Sequence, residues 1–169
     1  MIVDTIAVAM LCCFPLLVIA AGLLDITTFT IPNWISLALV ALYGPAAFVH
    51  HLAWPVVAIS LAVGAVALLF GIFMFAMNWI GGGDAKLMAA AALWIGWPQT
   101  LQFLLFTGLA GGVLALTLMG MRSGWVRRYA VAGPGWIGRL AKPDGPAPYG
   151  VAIAVGALIA FPHSALMGG

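Results

Sequence analysis

The chain has 169 residues, of which 65% are hydrophobic and 6% charged, with a mean hydropathy of +1.19 and no glutamate. A soluble domain carries about a quarter charged residues, so this chain cannot cover itself with polar surface and lipid is its expected solvent. The formal net charge of +2 is too small to point to nucleic acid.

Six apolar stretches follow in chain order. The first covers residues 5–24. It lacks the basic start of a signal peptide and is longer than a signal's apolar run, so it reads as a retained transmembrane helix. Cys12 and Cys13 lie within it, with neither metal-site nor disulfide-framework spacing. A polar stretch from Asp25 to Asn33 ends at a break marked by Pro32. The second span is expected over 34–49, followed by His50-His51. The third covers 56–80 and leads into Gly81-Gly82-Gly83-Asp84. The fourth, 85–96, closes on Trp97-Pro98. The fifth covers 100–121. A basic, Gly/Pro-rich segment spans 122–147, and the sixth stretch covers 149–166. The fold class predicted is all-α: a polytopic membrane protein of about six transmembrane helices, forming one domain over residues 1–169.

Charge placement supports this count. With six spans, the turns after spans one, three and five share a side. They hold Asp25, Asp84, Lys86, Arg122, Arg127, Arg128, Arg139, Lys142 and Asp144, so every Lys and Arg is on that side. The positive-inside rule makes it cytoplasmic, with both termini outside. Asp4, His50, His51 and His163 fall on the other side. Trp34, Trp54, Trp79, Trp97 and Trp125 sit near span ends, as an aromatic belt requires.

Asp25 and Asp84 therefore share one membrane face. The fourth span is short: about 12 residues rise about 18 Å, against a hydrocarbon core of about 30 Å. With its outer end anchored at Trp97-Pro98, its inner end and Asp84 are sunk below the membrane surface. An ionisable residue at that depth reads as functional. The three glycines are expected to break the helix and let another backbone approach. Asp84 can also cap the fourth helix on the amides near Lys86 and Leu87. Asn33 is expected to cap the second helix, and Asn78 to satisfy backbone groups freed at the break. The basic segment is expected to meet anionic headgroups.

Gly81-x-Gly83-Asp84, followed by Ala85-Lys86-Leu87, resembles the GxGD motif of the prepilin peptidases, an aspartic family of membrane proteases. Asp25, followed after five residues by Ile31-Pro32-Asn33, resembles that family's first catalytic Asp. Pro148-Tyr149-Gly150 resembles the small members that serve tight-adherence (Flp-type) pili. The resemblance implies a GxGD aspartic protease-like fold with catalytic Asp25 and Asp84. Gly81, Gly83, Lys86, Pro32 and Asn33 become motif or supporting residues. It also implies a prepilin substrate with a short basic leader and an apolar helix, in the inner membrane of a prokaryote. This chain has no CxxC pair, so the N-methylation performed by larger relatives is not expected. Residues 27–30, basic in many relatives, are here Thr27, Thr28, Phe29 and Thr30.

Two carboxyls suffice for peptide hydrolysis if they share a proton: one takes a proton from water, the other donates to the scissile carbonyl. No metal or other cofactor is called for. Asp84 opens a helix and Asp25 ends one, so dipoles alone would place the shared proton on Asp25. Lys86 could attract an acidic substrate group, or be a snorkelling lysine. Two other readings stand beside the protease. Paired acids at a broken helix also describe an ion-coupled transporter, and the chain could be a non-catalytic pilus-assembly subunit.

Overall fold

The computed structural model describes residues 2–123, 135–143 and 145–168, with side chains from residue 5 onward. Trp125, Arg127, Arg128, Asp144 and the side chain of Asp4, singled out above, lie outside the described residues. The chain is all-helical there: α1 (Ile2–Thr28), α2 (Asn33–Val49), α3 (Trp54–Ala76), α4 (Gly82–Ile95), α5 (Thr100–Arg122), the short α6 (Gly135–Leu140) and α7 (Tyr149–Ala160). Two 3-10 turns, Phe161–His163 and Ala165–Met167, follow α7.

Apolar residues occur all round these helices instead of on one stripe, the pattern of spans in lipid. Thr5–Thr28, Trp54–Ala76 and Thr100–Arg122 are each long and apolar enough to cross a bilayer, and Asn33–Val49 and Tyr149–His163 are shorter apolar helices. The protein is a polytopic membrane protein. Leu16, Leu37, Phe48, Leu69 and Leu116 stay exposed, facing the lipid such a chain requires.

The short helix is the centre. Apart from Lys86, every side chain of α4 from Asp84 to Ile95 is buried, packed against α3, α2 and α7 and, less broadly, against α1 and α5. Its Ala89–Ala92 run keeps the helix thin. Between membrane helices, close van der Waals packing replaces the hydrophobic effect as the attraction. Trp94 fills the core near the far end of α4, with its ring against Phe14, Tyr43 and Phe161. Its indole N–H donates to the Leu39 carbonyl at 2.7 Å. Trp94→Phe is expected to cost about 1–2 kcal/mol, because that bond is lost in a site without water; thermal unfolding in detergent would read it.

The helix ends differ from the expectation at three places. Helix α1 runs on to Thr28, so Asp25 lies inside its last turn instead of beyond it. Phe29, at φ 57°, makes the stop. Helix α3 ends at Ala76. Asn78, at φ 59°, turns the chain there through its backbone, a region where Asn is enriched. The glycines are not the break: Gly82 and Gly83 are already helical. At the far end of α4, Gly96 does need to be glycine, with φ at 70°.

One end of the bundle gathers the α1–α2 turn, the start of α4 and the start of α7. The other holds the start of α1, where the His50 ring meets the Ala7 carbonyl at 3.3 Å, and the α4–α5 turn. Helix α3 packs broadly on α4, and α5 touches it less broadly.

Candidate active site

Three helix ends build the site. The last turn of α1 carries Asp25, the first turn of α4 carries Asp84, and α7 begins beside them. Gly150, second residue of α7, donates its N–H to Asp25 Oδ2 at 2.7 Å. Asp84 reaches back along its own helix, and its Oδ2 accepts from the Gly81 N–H at 3.2 Å. That corrects the cap expected on Lys86 and Leu87: the carboxylate closes the reverse half of a capping box. Its other oxygen, Oδ1, is buried with no hydrogen-bond partner. The two side chains are only 6% and 8% exposed, so both acids are held out of bulk water.

The two acids are brought together through Ile31. A Cβ added to Gly83 would stand 3.1 Å from Ile31 Cβ, and one added to Gly150 would stand 2.7 Å from Ile31 Cδ1. Ile31 is thus wedged between the residue before Asp84 and the residue that holds Asp25. The glycines serve this close approach, with no left-handed backbone at Gly81, Gly82 or Gly83. Asp25, through Gly150, and Asp84, through Gly83, thus share Ile31 as a neighbour.

At Asp25 the C-terminal end of α1 is opposed by the N-terminal end of α7, which points at the same carboxylate. Asp84 faces one helix N-terminus alone, so the dipole contrast between the acids is smaller than α1 and α4 by themselves give.

The supporting residues separate into two groups. Pro32, at φ −61° and ψ 135°, is itself the N-cap of α2, and Asn33 is the first helical residue. Asn33 does not cap. Its Oδ1 accepts from Lys86 Nζ at 2.8 Å, tying α2 to α4. Lys86 points away from the buried acids, on the exposed side of α4. Lys86→Met is therefore expected to slow any reaction at the acids by less than about fivefold, the range of an exposed charge contact of about 1 kcal/mol, measurable as a change in kcat/KM.

Two arginines expected at lipid headgroups are tied to the protein. Arg122 donates to the carbonyls of Leu140 and Gly145, at 3.1 and 2.7 Å. Arg139 donates to the Thr27 carbonyl at 2.5 Å and lies over the Phe29 ring, 5.4 Å from its centroid. Arg122 fastens the segment around α6 to the end of α5, and Arg139 fastens it to the end of α1 beyond Asp25. Gly150, Ile31 and Arg139 were not among the expected site residues. For Gly150 the signal was present, in Pro148-Tyr149-Gly150 at the start of the last helix.

A cavity of about 380 Å³ opens on Asp84, with walls from Met74 and Ile80, from Thr107 to Gly112 on α5, and from Tyr149 to Ile153. Among the described residues no group of three or more His, Cys, Asp or Glu side chains could hold a metal ion.

No curated protein and no solved structure matches the chain. The profile of the type IV leader peptidase family matches residues 12–116. That stretch includes both acids, Ile31-Pro32-Asn33 and the glycine run, and it covers more than half of the sequence. The chain belongs to the type IV leader peptidase family and, with it, to the membrane proteases that act on prepilins.

Proposed function

We propose that the chain is a membrane aspartic endopeptidase that removes the cytoplasmic leader of type IV prepilins, with Asp25 and Asp84 as its two acids. The observation that carries this reading is the pairing of two buried carboxyls on separate helix ends, one with an oxygen lacking any partner. A free acceptor in a buried carboxyl is where a water or a proton belongs.

The reaction needs one proton shared by the pair. One carboxylate takes a proton from water as the water oxygen bonds to the scissile carbonyl carbon. The other, protonated, gives its proton to the carbonyl oxygen, leaving a tetrahedral diol. The C–N bond then breaks as the first acid, now protonated, gives its proton to the leaving nitrogen and the diol gives a hydroxyl proton to the second, now a carboxylate. The products are a carboxylic acid and an amine, and the dyad again holds one proton. Burial strengthens each of these transfers, because water does not screen them.

All Lys and Arg on one side favour a cytoplasmic dyad and outer termini, in a prokaryotic inner membrane. The contact of Gly150 with Asp25 gives Pro148-Tyr149-Gly150 a role and supports the small, Flp-type form.

Co-expressing the chain with type IV prepilins and following leader removal tests the proposal. The expected product is a prepilin shortened at its cytoplasmic end, in intact cells. A chain that leaves every prepilin uncut while carrying protons across proteoliposomes would favour the transporter, and one that binds prepilin uncut would favour the assembly subunit.

A further inference from the structure

The cavity at Asp84 continues along α4. Met88 lines both that cavity and a second one of about 450 Å³, which extends between α3 and α5 past Val66 to Trp97 and Thr100. Together they form one apolar cleft, with α4 as its floor. From Asp84 to Trp97 it is about 20 Å long, at 1.5 Å per residue of helix. Helices α3 and α5 line its two sides.

Gly108 and Gly112 of α5 border the Asp84 end. They are four residues apart, one turn above the other. Added Cβ atoms at both would meet nothing within 4 Å. Glycine weakens a helix, so two on one face with no internal neighbour call for another use. Small residues at this spacing let a second membrane helix come close. The second observation is Asp84 itself, which lines the same cavity, is more than nine-tenths buried and has an Oδ1 without a hydrogen-bond partner.

We infer that this cleft between α3 and α5 receives the apolar helix of the substrate, packed on Gly108 and Gly112 with its cytoplasmic end at Asp84. The inference rests on the proposed function and adds where the substrate lies. A helix seated there runs alongside α4, and its apolar part ends where the acids begin. The bond presented to Asp25 and Asp84 is then the one where the helix gives way to the leader. The cleft measures position along the substrate by depth in the membrane.

Two substrates separate docking from chemistry: a full type IV prepilin in liposomes, and a peptide of its leader and cleavage site that stops before the apolar stretch. Gly108→Leu and Gly112→Leu fill open space. They are expected to lower kcat/KM for the prepilin at least tenfold relative to the peptide. Gly120→Leu, on the same helix in open space but outside the cleft, is expected to behave as the native chain. Gly112→Cys, in a background with Asp84→Asn, Cys12→Ser and Cys13→Ser, should form disulfides with single cysteines placed along one face of the prepilin helix. An unaltered prepilin-to-peptide ratio with no disulfide would overturn the inference. So would a native dimer that Gly112→Leu dissociates while prepilin cleavage persists, which assigns the face to a second copy. If the native chain cuts neither substrate, the proposed function fails, and the disulfides still report on the cleft by themselves.

Discussion

Asp84→Asn and Asp25→Asn proteins are each expected to fold as the native chain does and to remove the leader about 10³-fold more slowly. General acid–base transfer by a positioned side chain is worth about 10²–10⁴ in rate. Asn keeps the oxygen that Gly81 or Gly150 donates to, so the local hydrogen bonds can persist while the titrating oxygen is gone. In the proposed mechanism the acids act as one unit, so the double variant should be little slower than either single one; residues acting as a unit are not additive. Leader removal in liposomes gives the rates, and thermal unfolding of each variant checks the fold. Independent, multiplying losses would argue that the acids do separate jobs.

The second large effect is expected at Gly150, a residue without a side chain. A Cβ there would stand 2.8 Å from Asp25 Oδ2 and 3.0 Å from Asp25 Cβ. The Ile31 methyl that it also meets can rotate away. The carboxylate cannot while it holds the Gly150 N–H at 2.7 Å. Gly150→Ala must therefore move Asp25 or the start of α7. Misplacing a reacting group by about 1 Å can cost about 10²-fold, and overpacking costs about 1–3 kcal/mol of stability. Cleavage is expected to fall about 10–100-fold with the protein still inserted. Gly83→Ala, whose Cβ would meet Ile31 at 3.1 Å, should fall less, because it touches neither acid. A Gly150→Ala protein that cleaves at the native rate would mean that α7 does not hold Asp25 during turnover.

The membrane class and the all-helical fold were legible because composition and hydropathy act over whole spans, and lipid allows few solutions. The shortness of α4 was legible between the glycine run and Trp97-Pro98. The roles of single polar residues were not. Asn33 looks like a cap, yet it serves Lys86 across two helices, a partner no local pattern names. The glycine run looks like a helix break, but Asn78 and Phe29 make the turns with left-handed backbones. At Asp25 the dipole of its own helix is met by that of α7, through Gly150, which lies 125 positions later in the chain. Sequence periodicity reports the environment of a span; it does not report which ends meet.

In the proposed mechanism, Asp25 and Asp84 together grip the tetrahedral state of a hydrolysed peptide bond. Two prepilin peptides test it, identical except that one carries a hydroxyl-bearing tetrahedral carbon in place of the scissile carbonyl and the other a plain methylene. Transition-state mimics bind about 10²-fold or more tighter than ground-state analogues. The account predicts that the hydroxyl peptide inhibits the native enzyme at least about 10²-fold more tightly than its methylene twin, and that Asp25→Asn and Asp84→Asn each erase the difference. Equal inhibition by the two peptides, or a preference that persists in both variants, would contradict it.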